Sequence, residues 1–307
     1  MATCRTKQHS QRGRQCLFIT LCIVLLILTS CYANKQKVDT GFMYQPLNRD
    51  QTVTMSQWQT ILAQIQQQRI NVLIIQWAQY GTETFGGTEG WLAKRLESWF
   101  IQGGTVWFGL YSDPAYFRQI HTQSLQQQFT YLHHYFSQIE HTYTQWKPWI
   151  KRHSASIQGF YLPLELSDYD YSTQQQRQQM TQLLANQVSK YDKPLMISLY
   201  LSATIDAPAI VQWVEQLTAV GIKVIVQDGR GTQALTNKVR QQYLSLLPSN
   251  SGIIKEIFKQ SSAKPFTANR INKMNYQIIT RQMNNRDTYY FSLRYAPFSQ
   301  GVLKLVD

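Results

Sequence analysis

The chain has 307 residues, of which 43% are hydrophobic, and a formal net charge of +13. Its four cysteines, Cys4, Cys16, Cys22 and Cys31, all fall in the first tenth of the sequence, so disulfides, cysteine metal sites and cysteine nucleophiles are excluded from the rest. Basic residues outnumber acidic ones, 30 to 17, but are scattered rather than clustered; this favours anionic neighbours such as phospholipid headgroups or acidic polysaccharide and argues against nucleic acid.

The N-terminus carries Arg5, Lys7, Arg12 and Arg14 and no acid, followed by an apolar run over 17–28 and then Thr29, Ser30 and Cys31. That order of basic, apolar and small segments predicts an export signal over 1–30. The apolar run falls short of the ~20 residues needed to span a bilayer; the alternative is an uncleaved anchor. Leu28-Thr29-Ser30-Cys31 resembles the lipobox of bacterial lipoproteins. The resemblance implies acylation (palmitate among the chains) of the Cys31 thiol, cleavage before it, and a short tether over 31–37. Several acyl chains give stable anchoring where one is marginal. Tyr32 stands where Asp would favour the inner membrane, so the outer membrane is the expected address. Loss of the four basic residues of the signal leaves a balance of +9.

Residues 38–307 then alternate strands with helices. A first strand is expected over 41–47, a helix over 54–68 with Trp58, Ile61, Leu62 and Ile65 on one face, and a strand over 71–77. The last is a near-continuous apolar run, as in a parallel strand buried on both faces. A Gly/Thr-rich loop, a helix over 91–101, and a strand over 105–111 follow. A long helix over 125–150 contains Pro148 near its end. Strands are expected over 157–164, 194–201, 222–227, 252–258 and 288–293, separated by helices over 173–191, 207–220, 236–247 and 269–284. Glutamine triplets at 66–68, 126–128 and 174–176 read as solvated helix faces. Eight strands in βαβ alternation predict an α/β fold, a single (β/α)8 TIM barrel of the usual ~250 residues. No glycine-rich phosphate motif follows the first strand, which removes the main support for a dinucleotide fold.

Chemistry in such a barrel gathers where the strands end. The residues placed there are Gln45; Gln76, Trp77 and Tyr80; Tyr111 and Asp113; Glu165, Asp168 and Asp170; Tyr200; Gln227 and Asp228; and Glu256. Glu165 and Glu256 each interrupt an apolar run, and burying an unpaired carboxylate costs several kcal/mol. Two carboxyls facing each other across the mouth can divide glycosidic cleavage between a proton donor and an attacking group. A retaining mechanism needs them about 5–5.5 Å apart. Amides, aromatics and acids around them (Gln45, Gln76, Trp77, Tyr80, Tyr111, Asp168, Tyr200, Gln227 and Asp228) suit sugar hydroxyls and pyranose faces. The alternative is that each Glu pairs with a base, Arg294 or Lys255. Asp168 and Asp170 in SDYDY read first as a turn capping the next helix, with Asp168 also able to line the cleft. His133 and His134 read as a surface or packing pair, and Trp146 and Trp149 as packing. No metal set, cofactor motif or Ser/His/Asp arrangement is evident.

The segment GFMYQPLNRDQTVTMSQWQTILAQIQQQRINVLIIQWAQYG, with FYLPLELSD at the fourth strand and KEIF at the seventh, resembles domain-of-unknown-function family 4434. The resemblance covers roughly 38–295 and implies an exported, often lipid-anchored, glycoside-hydrolase-like TIM barrel. It implies Glu165 as general acid/base and Glu256 as nucleophile. Leu164 stands where related retaining glycosidases carry an asparagine that binds the sugar 2-hydroxyl. Two functions are therefore expected of the chain: a retaining glycoside hydrolase on an envelope or secreted polysaccharide, or a non-catalytic glycan-binding or assembly subunit in polysaccharide export.

Overall fold

The apolar runs that alternate with amphipathic helices become the staves of one closed parallel barrel. A computed structural model of the chain describes residues 38–263, 266–282 and 285–305. The barrel strands are β1 (Thr40–Tyr44), β2 (Val72–Ile75), β3 (Thr105–Gly109), β4 (Ile157–Ser167), β5 (Leu195–Tyr200), β6 (Ile222–Gln227), β7 (Gly252–Glu256) and β8 (Thr288–Phe291). Each pairs in parallel with its sequence neighbours, and β8 closes on β1 with Thr40 opposite Thr288. The helices are α1 (Met55–Gln67), α2 (Trp91–Ile101), α3 (Tyr116–Thr122), α4 (Leu125–Arg152), α5 (Gln174–Val188), α6 (Ala207–Ala219), α7 (Asn237–Leu246) and α8 (Lys273–Arg281). The TIM-barrel expectation is met, and residues 39–307 make up one unit. The expected signal peptide, the tether and Cys31 lie outside the described residues, as do 283–284 at the end of the predicted last helix. Among the described residues no helix is long and apolar enough to cross a membrane.

Strand alternation sorts the side chains into two cores. Met43, Val72, Ile74, Trp107, Tyr161, Met196, Ile225, Ile254 and Tyr289 fill the barrel interior. Their neighbours one residue away, such as Phe42, Leu73, Phe108 and Phe160, face the helices and meet buried Trp58, Trp99, Trp149 and Trp213. The inner layer mixes large and small side chains: a Cβ on Gly159 would lie 2.3 Å from the Trp107 ring and 2.4 Å from the Pro194 carbonyl oxygen. Glycine here is what lets the indole occupy the axis.

The glutamines prove partly architectural. Gln57, Gln127 and Gln176 each accept from the N-cap backbone of their helix, completing capping boxes with Thr54, Ser124 and Thr173. Gln128 is buried and donates to the Ile120 carbonyl at 2.7 Å. Most of the other triplet residues face solvent at least partly.

Three departures from the sequence expectation matter for the site. Strand β4 runs past Leu164 to Ser167, because Pro163 lacks an N–H and the ladder to β5 slips: Tyr161 pairs with Met196, but Glu165 pairs with Ser198. The short helix α3 occupies the loop after β3. Beyond β7, an antiparallel hairpin of Phe258–Ser262 with Thr267–Arg270 precedes α8, so that helix begins only after its N-cap Asn272.

Candidate functional site

Glu165 follows Tyr161 by four residues on the same, interior face of β4, and the slip sets it opposite Ser198 rather than Tyr200. The floor beneath it is polar. The Tyr161 hydroxyl lies 2.8 Å from Ser198 Oγ and also meets the side chain of Gln76, whose buried Oε1 has no partner. Glu165 itself is half-buried and hydrogen-bonded by Gln227, the last residue of β6. Burial pushes its pKa up, the Gln227 contact offsets part of that, and the charge of Asp170 adds to it.

Glu256 ends β7 and is 1% exposed. Its Oε2 accepts from the backbone N–H groups of Gly231 at 2.5 Å and Thr232 at 3.0 Å, while Oε1 is buried without a partner. Burial, then repulsion from Asp228, raises its pKa to about 8; the two backbone donors work against the shift, and Glu165 adds to it. Glu256 is therefore protonated at neutral pH, and the two glutamates feel each other's charge. Asp228 is also buried. Its Oδ1 accepts from the backbone of Glu256 and of Arg230, both at 3.1 Å, and Oδ2 lies 3.5 Å from Arg230 Nε. Burial raises its pKa, against those donors and Arg230 and Arg240.

The expected basic partners go elsewhere. Arg294 grips Asp50 through two nitrogens, at 2.7 and 3.2 Å, and donates to the carbonyls of Gln45 and Lys304 at 2.7 and 2.6 Å. Lys255 points away to the Ile279 carbonyl and Gln282 Oε1, each at 3.3 Å. Among the described residues, neither Glu165 nor Glu256 forms an ion pair.

Of the other expected site residues, Tyr200 lies among the acids: its pKa is raised by burial, with the charges of Glu256, Glu165 and Asp168 adding, while a hydrogen bond with Thr232 lowers it. Gln227 and Gln76 join the same group. Asp168 is fully buried and turned to the next loop. It accepts from Ser202 N at 2.5 Å, Ser202 Oγ at 2.9 Å, Thr204 N at 2.7 Å and Ile205 N at 3.3 Å. It thus fixes the turn between β5 and α6, and the N-cap of α5 is Thr173 instead. Trp77 is buried in the outer core, where its indole N–H donates to the Pro46 carbonyl at 2.8 Å and its ring tilts against Tyr80 at 4.9 Å. Tyr111 packs on Tyr135 at 5.7 Å. Gln45 meets Arg294 through its backbone. Asp113 accepts from the Tyr131 hydroxyl at 2.9 Å and from Ala115 N at 2.7 Å. His133 and His134 are exposed, and Trp146 and Trp149 pack on Phe108.

Sequence reasoning missed Tyr161, Ser198 and Thr232, and the amide pair at 231–232. Parity along β4 and β5 could have found the first two, since Tyr161 and Ser198 alternate with outward-facing Phe160, Leu162, Ile197 and Leu199. Among the described residues no group of three or more His, Cys, Asp or Glu side chains could hold a metal ion.

Comparison with known proteins bears on the family and the fold. The uncharacterized protein YbcH of Escherichia coli (strain K12) is 31% identical over 310 residues, covering 95% of this chain and 99% of that protein. Among solved structures, a "putative alpha-L-fucosidase" from Bacteroides thetaiotaomicron shares the fold, with a TM-score of 0.56 and 14% identity over 88% of this chain and 92% of that one. A xylose isomerase domain containing protein from Salmonella typhimurium LT2 gives a TM-score of 0.48 at 10% identity, over 87% and 91% of the two chains. The family model for the domain of unknown function DUF4434 matches residues 40–297, and the chain belongs to that family.

Proposed function

We propose that this barrel is a glycoside hydrolase acting on an envelope or secreted polysaccharide, and that the mature chain is held at the bacterial outer membrane through a lipid on Cys31. The observation that carries the catalytic reading is the pair of acids at the ends of β4 and β7. Their charges interact, neither forms an ion pair among the described residues, and burial pushes the pKa of Glu256 up to about 8. That is the division of labour glycosidic cleavage needs, and pairs of acids with separated protonation are how one site runs acid and base chemistry together.

Burial distributes the roles differently from the family-based expectation. Glu256, neutral at pH 7, is the proton donor of the resting enzyme, and its unpartnered Oε1 is the donating atom. Glu165, more open to solvent, is the carboxylate that attacks the sugar carbon or activates water. The amides of Gln76 and Gln227 and the Tyr200 hydroxyl supply donors and acceptors for sugar hydroxyls. The fucosidase description of one structural neighbour is in keeping with a carbohydrate ligand. The predicted export signal and the lipobox-like Leu28-Thr29-Ser30-Cys31 support this reading of the location, since either surface polysaccharide or its export machinery is met at the membrane.

A second reading, a non-catalytic glycan-binding or assembly subunit in polysaccharide export, is favoured by the 1% exposure of Glu256 and its grip on the backbone of Gly231 and Thr232. The two separate in one experiment. The lipid-free domain from Tyr32 onward is incubated with polysaccharide from the producing cell, and new reducing ends are measured for wild type, Glu165→Gln and Glu256→Gln. Release by the wild type that both variants lose establishes hydrolysis. Binding by all three without release leaves the binding subunit and overturns the enzyme.

A further inference from the structure

Beside the mouth, three aromatic rings stand on the rim. On α3, Phe117 and His121 are one turn apart and stack at 6.0 Å with 13° between their planes. Tyr169, two residues beyond the end of β4, sets its edge against His121 at 5.8 Å and 62°. Large aromatics are normally withdrawn from water, yet Phe117 is 49% and Tyr169 63% exposed. The rings are tied to the acid site from below. His121 Nδ1 lies 2.7 Å from Asp170 Oδ1, and the Ser167 hydroxyl donates to Asp170 Oδ2 at 2.6 Å. Ser167 ends β4 two residues after Glu165, and Glu165 feels the charge of Asp170.

The chemistry of this corner selects its ligand. The exposed ring faces offer flat apolar area of the kind that stacks on the C–H faces of a pyranose. The Asp170 carboxylate holds the Nδ1 side of His121, which leaves Nε2 as the ring nitrogen available to a hydroxyl. A purely apolar partner would strip water from that nitrogen without replacing its hydrogen bond. A ligand with an apolar face and hydroxyls at its edge satisfies both. We propose that Phe117, His121 and Tyr169 form an outer sugar-binding subsite, holding a glycan chain where it leaves the cleft over the β3–β4 side of the mouth. This rests on the reading of the mouth as a glycan site.

The test uses the full chain in detergent and, as probe, oligomers from partial acid hydrolysis of the producing cell's envelope polysaccharide, sorted by length. Affinities are measured by calorimetry for wild type, Tyr169→Ala and the Phe117→Ala/Tyr169→Ala double variant, with melting temperatures as the check on folding. The wild type should bind more tightly as the oligomer lengthens. The double variant should lose that gain, about tenfold for the longest oligomers, and Tyr169→Ala should lose part of it. A gain with length that persists in a folded double variant, or a wild type that binds with no length dependence, overturns the subsite and leaves the mouth standing. A wild type that binds none of the oligomers overturns the reading of the mouth, and the subsite with it.

Discussion

Glu256→Gln replaces a carboxyl that is buried as the neutral acid with an amide that is neutral at every pH. The amide oxygen can still accept from Gly231 and Thr232, so packing and the two backbone hydrogen bonds are retained. The consequence is a change in how stability depends on pH. The folded protein binds the Glu256 proton up to about 8, against an ordinary value of 4.5. Below pH 4.5 both the folded and the unfolded chain hold the proton, and its contribution is fully present. Between 4.5 and 8 only the folded chain holds it, so stability falls as pH rises, by about 1.4 kcal/mol per unit. Over the whole window the loss is roughly 4–5 kcal/mol, and above it the curve flattens. Glu256→Gln should therefore match the wild type near pH 4.5 and exceed it by several kcal/mol at pH 9. Urea unfolding of the domain at pH 5, 6, 7, 8 and 9 gives the difference curve, in which the other titrating groups largely cancel. A difference that stays flat across that range would refute the reasoning, because it would mean that the carboxyl ionises in the folded protein without cost.

Arg294→Met leaves the buried Asp50 carboxylate without its cation and should cost about 3–5 kcal/mol in urea unfolding; the Asp50→Asn/Arg294→Met double variant should recover part of that. Gly159→Ala would force a methyl against the Trp107 ring and the Pro194 carbonyl, and should lower stability by about 1–3 kcal/mol or more, read as a fall in melting temperature. Asp168→Ala strands the N–H groups of Ser202, Thr204 and Ile205, and should speed amide hydrogen exchange at those residues relative to the strands.

The barrel was legible because its strands are buried on both faces. Runs such as Val72–Ile75 and Ile222–Gln227 leave no other reading once amphipathic helices alternate with them. Glu165 and Glu256 were legible for the opposite reason, as acids interrupting such runs. Their surroundings were not. The pairing of Arg294 with Asp50 joins residues 244 apart, in short 3-10 turns without any periodic signal, so sequence reasoning offered that arginine to the glutamates instead. Asp168 looks like a local cap because SDYDY is a local pattern, whereas its partners lie 34–37 residues on, in the loop of the next βα unit. Trp77 sits at a strand end, but whether such an indole faces the mouth or the helices is settled by packing against Pro46 and Tyr80. The β4 slip could not be read at all: a proline in a strand announces an irregularity, while its size depends on where β5 lies beside it.

The grip of Arg294 on Asp50 also bears on the order in which the chain can complete itself. It joins the turn after the first strand to the turn after the last, and its other bonds reach the Gln45 and Lys304 carbonyls. Until Arg294 is in place, the barrel seam between β1 and β8 can be drawn together only around an Asp50 carboxylate that lacks its cation and keeps only the Tyr44 hydroxyl and the Leu47 N–H as donors. A chain that stops between Phe291 and Arg294 keeps all eight strands, yet closes them over a buried charge without its counterion. The lock on the seam is thus set by residues that follow the last strand, so the two ends of the barrel are joined by charge as well as by the β1–β8 ladder.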